Sequence, residues 1–179
     1  PDWLREHLPK RVFTGGISRF DGRLPVSHPT FAADILVVTG AGGVPGAPHP
    51  ATTLGEELPE HTVVGLGPAF GTWVDDPWPF LCSARVTVIG AGQGSVADAA
   101  AAGRPAVVIP EDRPFAEQRA TGNTLARSEL ALVTSSWPST ERWRSILDTA
   151  GSSSPEWSRW NTAGAAERAA RAIEAVAHR

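Results

Sequence analysis

The sequence of 179 residues contains no methionine, no tyrosine and only one cysteine, Cys82. A single cysteine excludes an internal disulfide and a zinc site built on several thiolates. The five histidines lack the spacing of a metal-binding motif such as His-Glu-x-x-His, so neither a metal nor another cofactor is expected. No apolar run approaches the roughly 20 residues that span a bilayer. These residues contain no signal-peptide pattern, and a cytoplasmic location is the default expectation.

The sequence also lacks a large excess of positive or negative charge, because the net charge is −3 and the isoelectric point is about 6.0. This balance gives no electrostatic reason to expect a nucleic acid or an anionic membrane as partner. The content of 41% hydrophobic and 20% charged residues is typical of a soluble globular domain with a sizeable core. The chain starts with Pro1 instead of methionine, and we expect it to be a piece of something longer.

Short apolar runs rich in β-branched residues recur along the chain. Apart from single threonines they are apolar, and they do not alternate with polar residues, which is typical of strands buried on both faces of a parallel sheet. The runs cover residues 35–38, 62–64, 86–89, 106–109 and 131–134.

Helical patterns lie between and after these runs. They cover residues 52–58, 95–102, 115–127, 139–149 and 161–177. The alternation predicts an open, mostly parallel α/β sheet with helices on both faces and right-handed crossovers. In the last helix we expect a buried stripe, which consists of Ala166, Ala169, Ala170, Ile173 and Val176.

The chain divides into three predicted parts. Residues 1–29, with a strand-like piece at 11–13 before a pair of glycines, are predicted to be a hinge or connection. Residues 30–150 form the α/β domain, and residues 151–179 form a flexible joint and a C-terminal helix.

Two glycine-rich turns follow predicted strands, at residues 40–43 and 90–95. In an open parallel sheet, ligands bind at the carboxyl ends of the strands. Glycines let backbone N–H groups approach an anion, and a helix N-terminus adds a partial positive charge. A phosphate or diphosphate is therefore the expected ligand. The Walker A motif is missing. A dinucleotide site is less favoured, because the second predicted strand is followed by Gly65-Leu-Gly67 and not by an acidic residue.

The stretch 73–125 combines several motifs at a particular spacing. It contains a Trp-bearing loop, a strand, Gly90-Ala-Gly-Gln-Gly-Ser-Val-Ala-Asp98, Ala101-Ala-Gly-Arg-Pro105, a strand that ends in Pro110, and Glu117-Gln118. This combination resembles the C-terminal, nucleotide-sugar-binding domain of GT-B glycosyltransferases. The similarity is greatest to MurG-type (family 28) enzymes and to the UDP-glycosyltransferase superfamily.

The resemblance implies roles for individual residues. Asp98 would accept the ribose hydroxyls of the donor, and Trp73 would stack on the base. Glu117 and Gln118 would hydrogen-bond the donor sugar. The donor diphosphate would be bound by a larger set, namely Arg19, Gly42, Gly43, Gly92, Gln93, Gly94 and Ser95. Each of these roles has an alternative. Asp98 would instead complement the dipole of its helix, and the Glu117-Gln118 pair would be only an exposed helix start. Trp73 would be a core residue, and Arg19 would hold the hinge.

Three positions depart from the family pattern. Many relatives have a histidine where this chain has Gly90, an asparagine or threonine near Gly94, and a glutamate where it has the shorter Asp98. These differences leave open a degenerate, non-catalytic nucleotide-sugar-binding or interaction module.

The resemblance implies the donor-binding half of a hexosyltransferase-type enzyme that takes a sugar from a nucleoside diphosphate without an essential metal. The acceptor site and the catalytic base would lie on an N-terminal domain that is missing here, so this fragment is expected to be inactive alone. Its partners would be the sugar nucleotide and that domain, and the isolated half could self-associate. An epimerase-like relative and, less favoured, an oxidoreductase remain alternatives.

Overall fold

A parallel sheet of five strands forms the centre of the structure, a computed structural model that describes residues 11–27, 30, 33–40, 50–70 and 72–177. The strand order is β2-β1-β3-β4-β5, and every neighbouring pair is parallel. The strands are β1 (Ile35–Val38), β2 (Val63–Leu66), β3 (Val86–Ile89), β4 (Ala106–Val108) and β5 (Leu132–Val133). The predicted parallel α/β sheet is therefore confirmed.

Helices connect and follow these strands. The α-helices are α1 (Pro50–Glu57), α2 (Trp78–Ser83), α3 (Gln93–Ala102), α4 (Glu117–Arg127), α5 (Thr140–Gly151) and α6 (Ala165–Ala177). Short 3-10 helices cover Pro68–Phe70, Pro114–Ala116 and Trp157–Trp160. Within the described ranges, no helix is long and apolar enough to cross a membrane.

Both faces of the sheet are covered, as the largely apolar strands predict. On one face, alternate residues of β1, β3 and β4 form a buried cluster with Leu54 of α1 and with Trp143, Ile146 and Leu147 of α5. On the other face, Ile89, Ala106 and Val108 pack with α3, α4 and the 3-10 turn at Trp157–Trp160. The same face continues into a cluster around Phe20 and α2. Removing these side chains from water is the main stabilising contribution to the sheet.

The C-terminal helix differs from its prediction in both its start and its burial. It begins at Ala165 because Asn161 and Gly164 have φ values of +56° and +69°, which a right-handed helix does not allow. The predicted inner stripe is wrong, since Ile173 and Val176 are 70% and 71% exposed. Only Ala165 of this helix is buried.

Three other local predictions are corrected. Residues 11–13 are not a strand. The helix predicted from residue 115 starts as an α-helix only at Glu117, because Phe115 and Ala116 have φ values of +61° and +53°. The helix predicted from residue 95 begins two residues earlier, at Gln93, so that Gly92 is its N-cap.

Candidate functional site

A cleft of about 250 Å³ opens at the carboxyl ends of β1, β2 and β3. The chain runs from β1 to one side of the sheet to form β2, and it then returns to the other side of β1 to form β3. The gap between β1 and β3 is thus the switch point, where open α/β sheets bind their ligands. Val38, Leu66 and Ile89, the last residues of the three strands, line the cleft.

Four residues predicted to bind the donor line this cleft together: Arg19, Trp73, Ser95 and Asp98. The indole of Trp73 is 74% exposed, so it does not belong to the core. The neighbouring Trp78 is the tryptophan of this region that is fully buried. The structure therefore brings together residues that are separated by up to 79 positions in the sequence.

The wall between β1 and β2 depends on a close approach of backbones. Gly67, directly after β2, has a φ of +122°, and a Cβ atom there would lie 2.3 Å from the carbonyl oxygen of Thr39. Glycine is needed for both reasons.

We expect Gly67→Ala to lower the free energy of unfolding by about 2–4 kcal/mol, because it adds a backbone clash to the cost of an unfavourable φ. Gly22→Ala is the matched control, since Gly22 has a φ of +76° but no atom within 4 Å of the added Cβ. Urea unfolding of both variants measures the difference. Equal losses would mean that backbone strain alone, and not the contact with Thr39, decides the effect.

Asp98 is the best-held polar group of the cleft. It is the sixth residue of α3, in the second turn, so it does not complement the helix dipole at the N-terminus. Its Oδ1 accepts a hydrogen bond from Ser18 Oγ at 2.8 Å, and its Oδ2 accepts one from Arg19 Nε at 3.1 Å. A carboxylate has about four acceptor positions, so acceptor positions remain for a ligand.

The N-terminus of α3 forms one side of the predicted diphosphate site. Gly92 is the N-cap without a side-chain hydrogen bond, and the first helical bond runs from the Val96 N–H to the Gly92 carbonyl. The N–H groups of Gln93, Gly94 and Ser95 therefore have no acceptor within the helix. The side chain of Gln93 instead donates from Nε2 to Thr121 Oγ1 at 3.1 Å. Backbone groups, and not the glutamine side chain, are thus available to an anion.

An ion pair joins the N-terminal segment to the loop that carries Trp73. Arg23 Nη1 and Nη2 donate to the two carboxylate oxygens of Asp76 at 2.9 and 2.7 Å. The hydrogen bond from Arg23 is the largest of the causes that lower the pKa of the Asp76 carboxyl. Trp78 Nε1 adds a bond to the Leu24 carbonyl at 2.9 Å. The rim of the cleft is therefore attached at two points to residues 23 and 24.

Glu117 and Gln118, predicted to bind the donor sugar, do not line the cleft and have different environments. Glu117 is exposed in the first turn of α4. Gln118 is only 6% exposed, and its Oε1 accepts hydrogen bonds from the N–H groups of Ala91 at 3.0 Å and Glu111 at 2.9 Å. Its carbonyl oxygen thus connects the loops after β3 and β4. Glu117 is therefore an exposed residue at a helix start, whereas Gln118 is buried against the backbone.

Two residues of this region were missed from the sequence. Ser18 has no motif of its own beyond its place before Arg19, and only the fold shows its bond to Asp98. Glu111 is 7% exposed, and its Oε2 accepts hydrogen bonds from Arg113 at 2.9 and 2.6 Å. Its Oε1 would lie 3.5 Å from a Cβ at Gly90. Its signal in the sequence is its place directly after Pro110, the proline that follows β4.

Gly42 and Gly43, the other predicted side of the diphosphate site, lie outside the described residues. Among the residues that the structure does describe, no group of three or more histidine, cysteine, aspartate or glutamate side chains could hold a metal ion.

No protein-family profile and no curated protein match this sequence. The fold is similar to a solved structure, the crystal structure of the glycotransferase of kitacinnamycin, with a TM-score of 0.54 and 16% identity over 82% of this chain. The chain has a Rossmann-like α/β fold, similar to part of that glycotransferase. At this identity the likeness establishes the fold, whereas the MurG type stays a prediction from the sequence. This chain spans 41% of the length of that glycotransferase.

Proposed function

We propose that this chain binds the nucleoside diphosphate-sugar donor of a glycosyltransferase. The observation that carries the proposal is the cleft at the switch point, which brings Asp98, Arg19 and Trp73 together beside the N-terminus of α3. A base, a ribose and a diphosphate need an aromatic surface, an acceptor of hydroxyl protons and a source of positive potential. These three groups are present in that one cleft.

Each part of the donor has a matching group. The exposed indole of Trp73 would stack on the base, and the unused acceptor positions of Asp98 would take the ribose hydroxyls. The diphosphate would bind the free N–H groups at the start of α3, between residues 92 and 95. Arg19 is available as well, because only its Nε is used by Asp98 and its side chain is 58% exposed. Gly42 and Gly43 would complete the diphosphate site.

The donor sugar would extend towards α4. Glu117 is free to accept from sugar hydroxyls, whereas Gln118 could offer only its Nε2, since its Oε1 is already used by two backbone N–H groups. The side chain of Glu117 would therefore make the main polar contact with the sugar. We propose this role for Glu117, whereas the resemblance implies that Glu117 and Gln118 both bind the sugar.

The proposed reaction transfers the sugar from the nucleoside diphosphate to an acceptor. Negative charge grows on the leaving diphosphate, and the N–H groups and dipole at the start of α3 would stabilise it without an essential metal. The catalytic base and the acceptor site would lie on another domain. This chain alone would then bind the donor without turning it over.

Large apolar side chains support the idea of a covering domain. They are exposed on the N-terminal segment and on α6, and they are Val12, Phe13, Ile17, Leu24, Val26, Ile173 and Val176. An exposed apolar surface of this kind is typical of a contact surface. We propose that it meets the other domain, and that isolated copies can self-associate through it.

A degenerate binding module is the second candidate, because Asp98 already has partners on both oxygens and Gly90 and Gly94 offer no side chain. In that case Ser18 and Arg19 would keep the carboxylate of Asp98 occupied, and no nucleotide would bind.

Thermal unfolding with added ligands separates these functions. We expect uridine or thymidine diphosphate at about 100 times its Kd to stabilise the chain by about 2.7 kcal/mol. For a domain of this length, the Tm would rise by about 5–10 °C. A nicotinamide dinucleotide serves as the control and is expected to have no effect. A shift with the dinucleotide alone would favour an oxidoreductase, and no shift with any nucleotide would favour the degenerate module.

A further inference from the structure

The two ends of the described chain meet beside α3. Gly15 has a φ of +83°, and a Cβ atom there would lie 1.9 Å from the carbonyl oxygen of Asn161. A Cβ at Gly16 would lie 2.6 Å from Trp160 Nε1 and 3.2 Å from the Cβ of Ala97. This glycine pair therefore lets the N-terminal segment pass between the C-terminal 3-10 turn and α3, at the residue next to Asp98.

Arg168 on α6 holds this crossing in place. Its Nε donates to the carbonyl oxygen of Thr14 at 2.9 Å, its Nη1 to that of Ala163 at 2.6 Å and its Nη2 to that of Asn161 at 2.6 Å. One guanidinium thus binds both chain ends at once, through three backbone carbonyls. Hydrogen bonds from a charged donor are about twice as strong as neutral ones.

A second contact holds the other end of the same segment. Both carboxylate oxygens of Asp21 accept from the N–H of Gly164, at 3.1 and 2.9 Å. Gly164 directly precedes α6, so the carboxylate also lies at the positive end of that helix. The segment is therefore attached to the start of α6 at both of its ends, residue 14 and residue 21.

Between these two attachments lie Ser18 and Arg19, the residues that donate to Asp98. Ser18 Oγ also accepts from the N–H of Phe20 at 3.0 Å, so that the hydroxyl links the segment to the carboxylate. We propose that Arg168 is a positioning residue of the cleft, which holds residues 14–21 so that Ser18 and Arg19 fix the carboxylate of Asp98. That the fixed carboxylate serves a nucleotide rests on the proposed function.

Because Arg168 holds residues 14–21, the position of α6 affects the geometry of the cleft. The exposed stripe with Ile173 and Val176 lies on the helix that carries Arg168. A domain that docks on this stripe would move or fix Arg168. Through residues 14–21 it would then change the positions of Ser18 and Arg19 relative to Asp98. Docking of the other domain and binding of the donor would then be coupled.

The first test needs no ligand. In Arg168→Ala, we expect the N–H of Phe20 to exchange with deuterated solvent about tenfold faster than in the wild type, measured by NMR, because its acceptor Ser18 Oγ is no longer held. Arg171→Ala is the charge control, since Arg171 is on the same helix and pairs with Glu167, away from the segment. Ile146→Val is the stability control, because it weakens the core on the opposite face of the sheet.

The second test measures the affinity for uridine and thymidine diphosphate by calorimetry. We expect Arg168→Ala to weaken binding about tenfold, which is in the usual range for coupled sites. Both controls should bind as the wild type does. In a Ser18→Ala background the same substitution should cost much less, because the two residues act on one carboxylate.

Unchanged exchange at Phe20 in Arg168→Ala would overturn the proposal, and so would equal exchange in Arg168→Ala and Ile146→Val. Additive losses of affinity in the double variant would overturn it as well. If the wild type binds neither diphosphate, the proposed function fails, while the exchange result still decides the role of Arg168.

Discussion

Replacing Asp98 by alanine is expected to abolish the thermal shift that uridine or thymidine diphosphate produces. The substitution removes the carboxylate that would accept the ribose hydroxyls, and it leaves Ser18 and Arg19 without their shared acceptor. A rise of about 5–10 °C with saturating nucleotide should fall to within the error of the measurement. Each variant is compared with and without ligand, so a lower Tm of the unliganded variant does not enter the result.

Asp112→Ala is the matched control for this prediction. Asp112 also forms an ion pair with an arginine, Arg119, at 2.6 Å, but its side chain is 84% exposed and does not line the cleft. We expect this variant to keep the full shift, since an exposed ion pair contributes little. A nucleotide shift that survives in Asp98→Ala would show that the carboxylate is not a ligand of the donor.

Replacing Gln118 by leucine is expected to be among the most destabilising single changes in the chain. The N–H groups of Ala91 and Glu111 would lose their acceptor inside the protein, and each unsatisfied group costs about 1–3 kcal/mol. The free energy of unfolding should therefore fall by about 2–6 kcal/mol, measured by urea denaturation. Nucleotide affinity should fall too, because Ala91 directly precedes the N-cap of α3.

Gln93→Leu is the control for Gln118→Leu. Gln93 is exposed and makes one side-chain hydrogen bond, to Thr121, so its replacement should cost less than about 1 kcal/mol. If the two variants unfold at the same urea concentration, the bonds from Gln118 to the loops after β3 and β4 do not stabilise the fold as proposed.

The strands and most of the helices could be predicted because their signals are local. Ile35–Val38 is apolar at every position and Val86–Ile89 at all but Thr87, and such a run is stable only where both faces of a strand are covered. Gly103, with a φ of +69°, ends α3 at the predicted residue. For α6 the local pattern misleads, because an apolar stripe is equally compatible with burial in this chain and with contact to another domain.

The candidate site was predictable in its location and only partly in its contacts. Glycine-rich turns after parallel strands indicate the carboxyl edge of the sheet, and the cleft does lie at that edge. Whether Trp73 is buried or exposed, and whether Gln118 faces a ligand or the backbone, depends on neighbours that are distant in sequence. The same residue types allow either outcome.

The parallel sheet, the order of strands and helices along the chain and the sheet edge that carries the cleft follow from the sequence alone. Only the packed fold shows that Ser18 and Arg19 meet Asp98 across about 80 residues, and that Arg168 holds the segment between Thr14 and Asp21. The physical reason is that the hydrophobic period of a segment is a property of neighbouring residues, whereas the partner of a polar side chain depends on the spatial order β2-β1-β3. No local pattern contains that order.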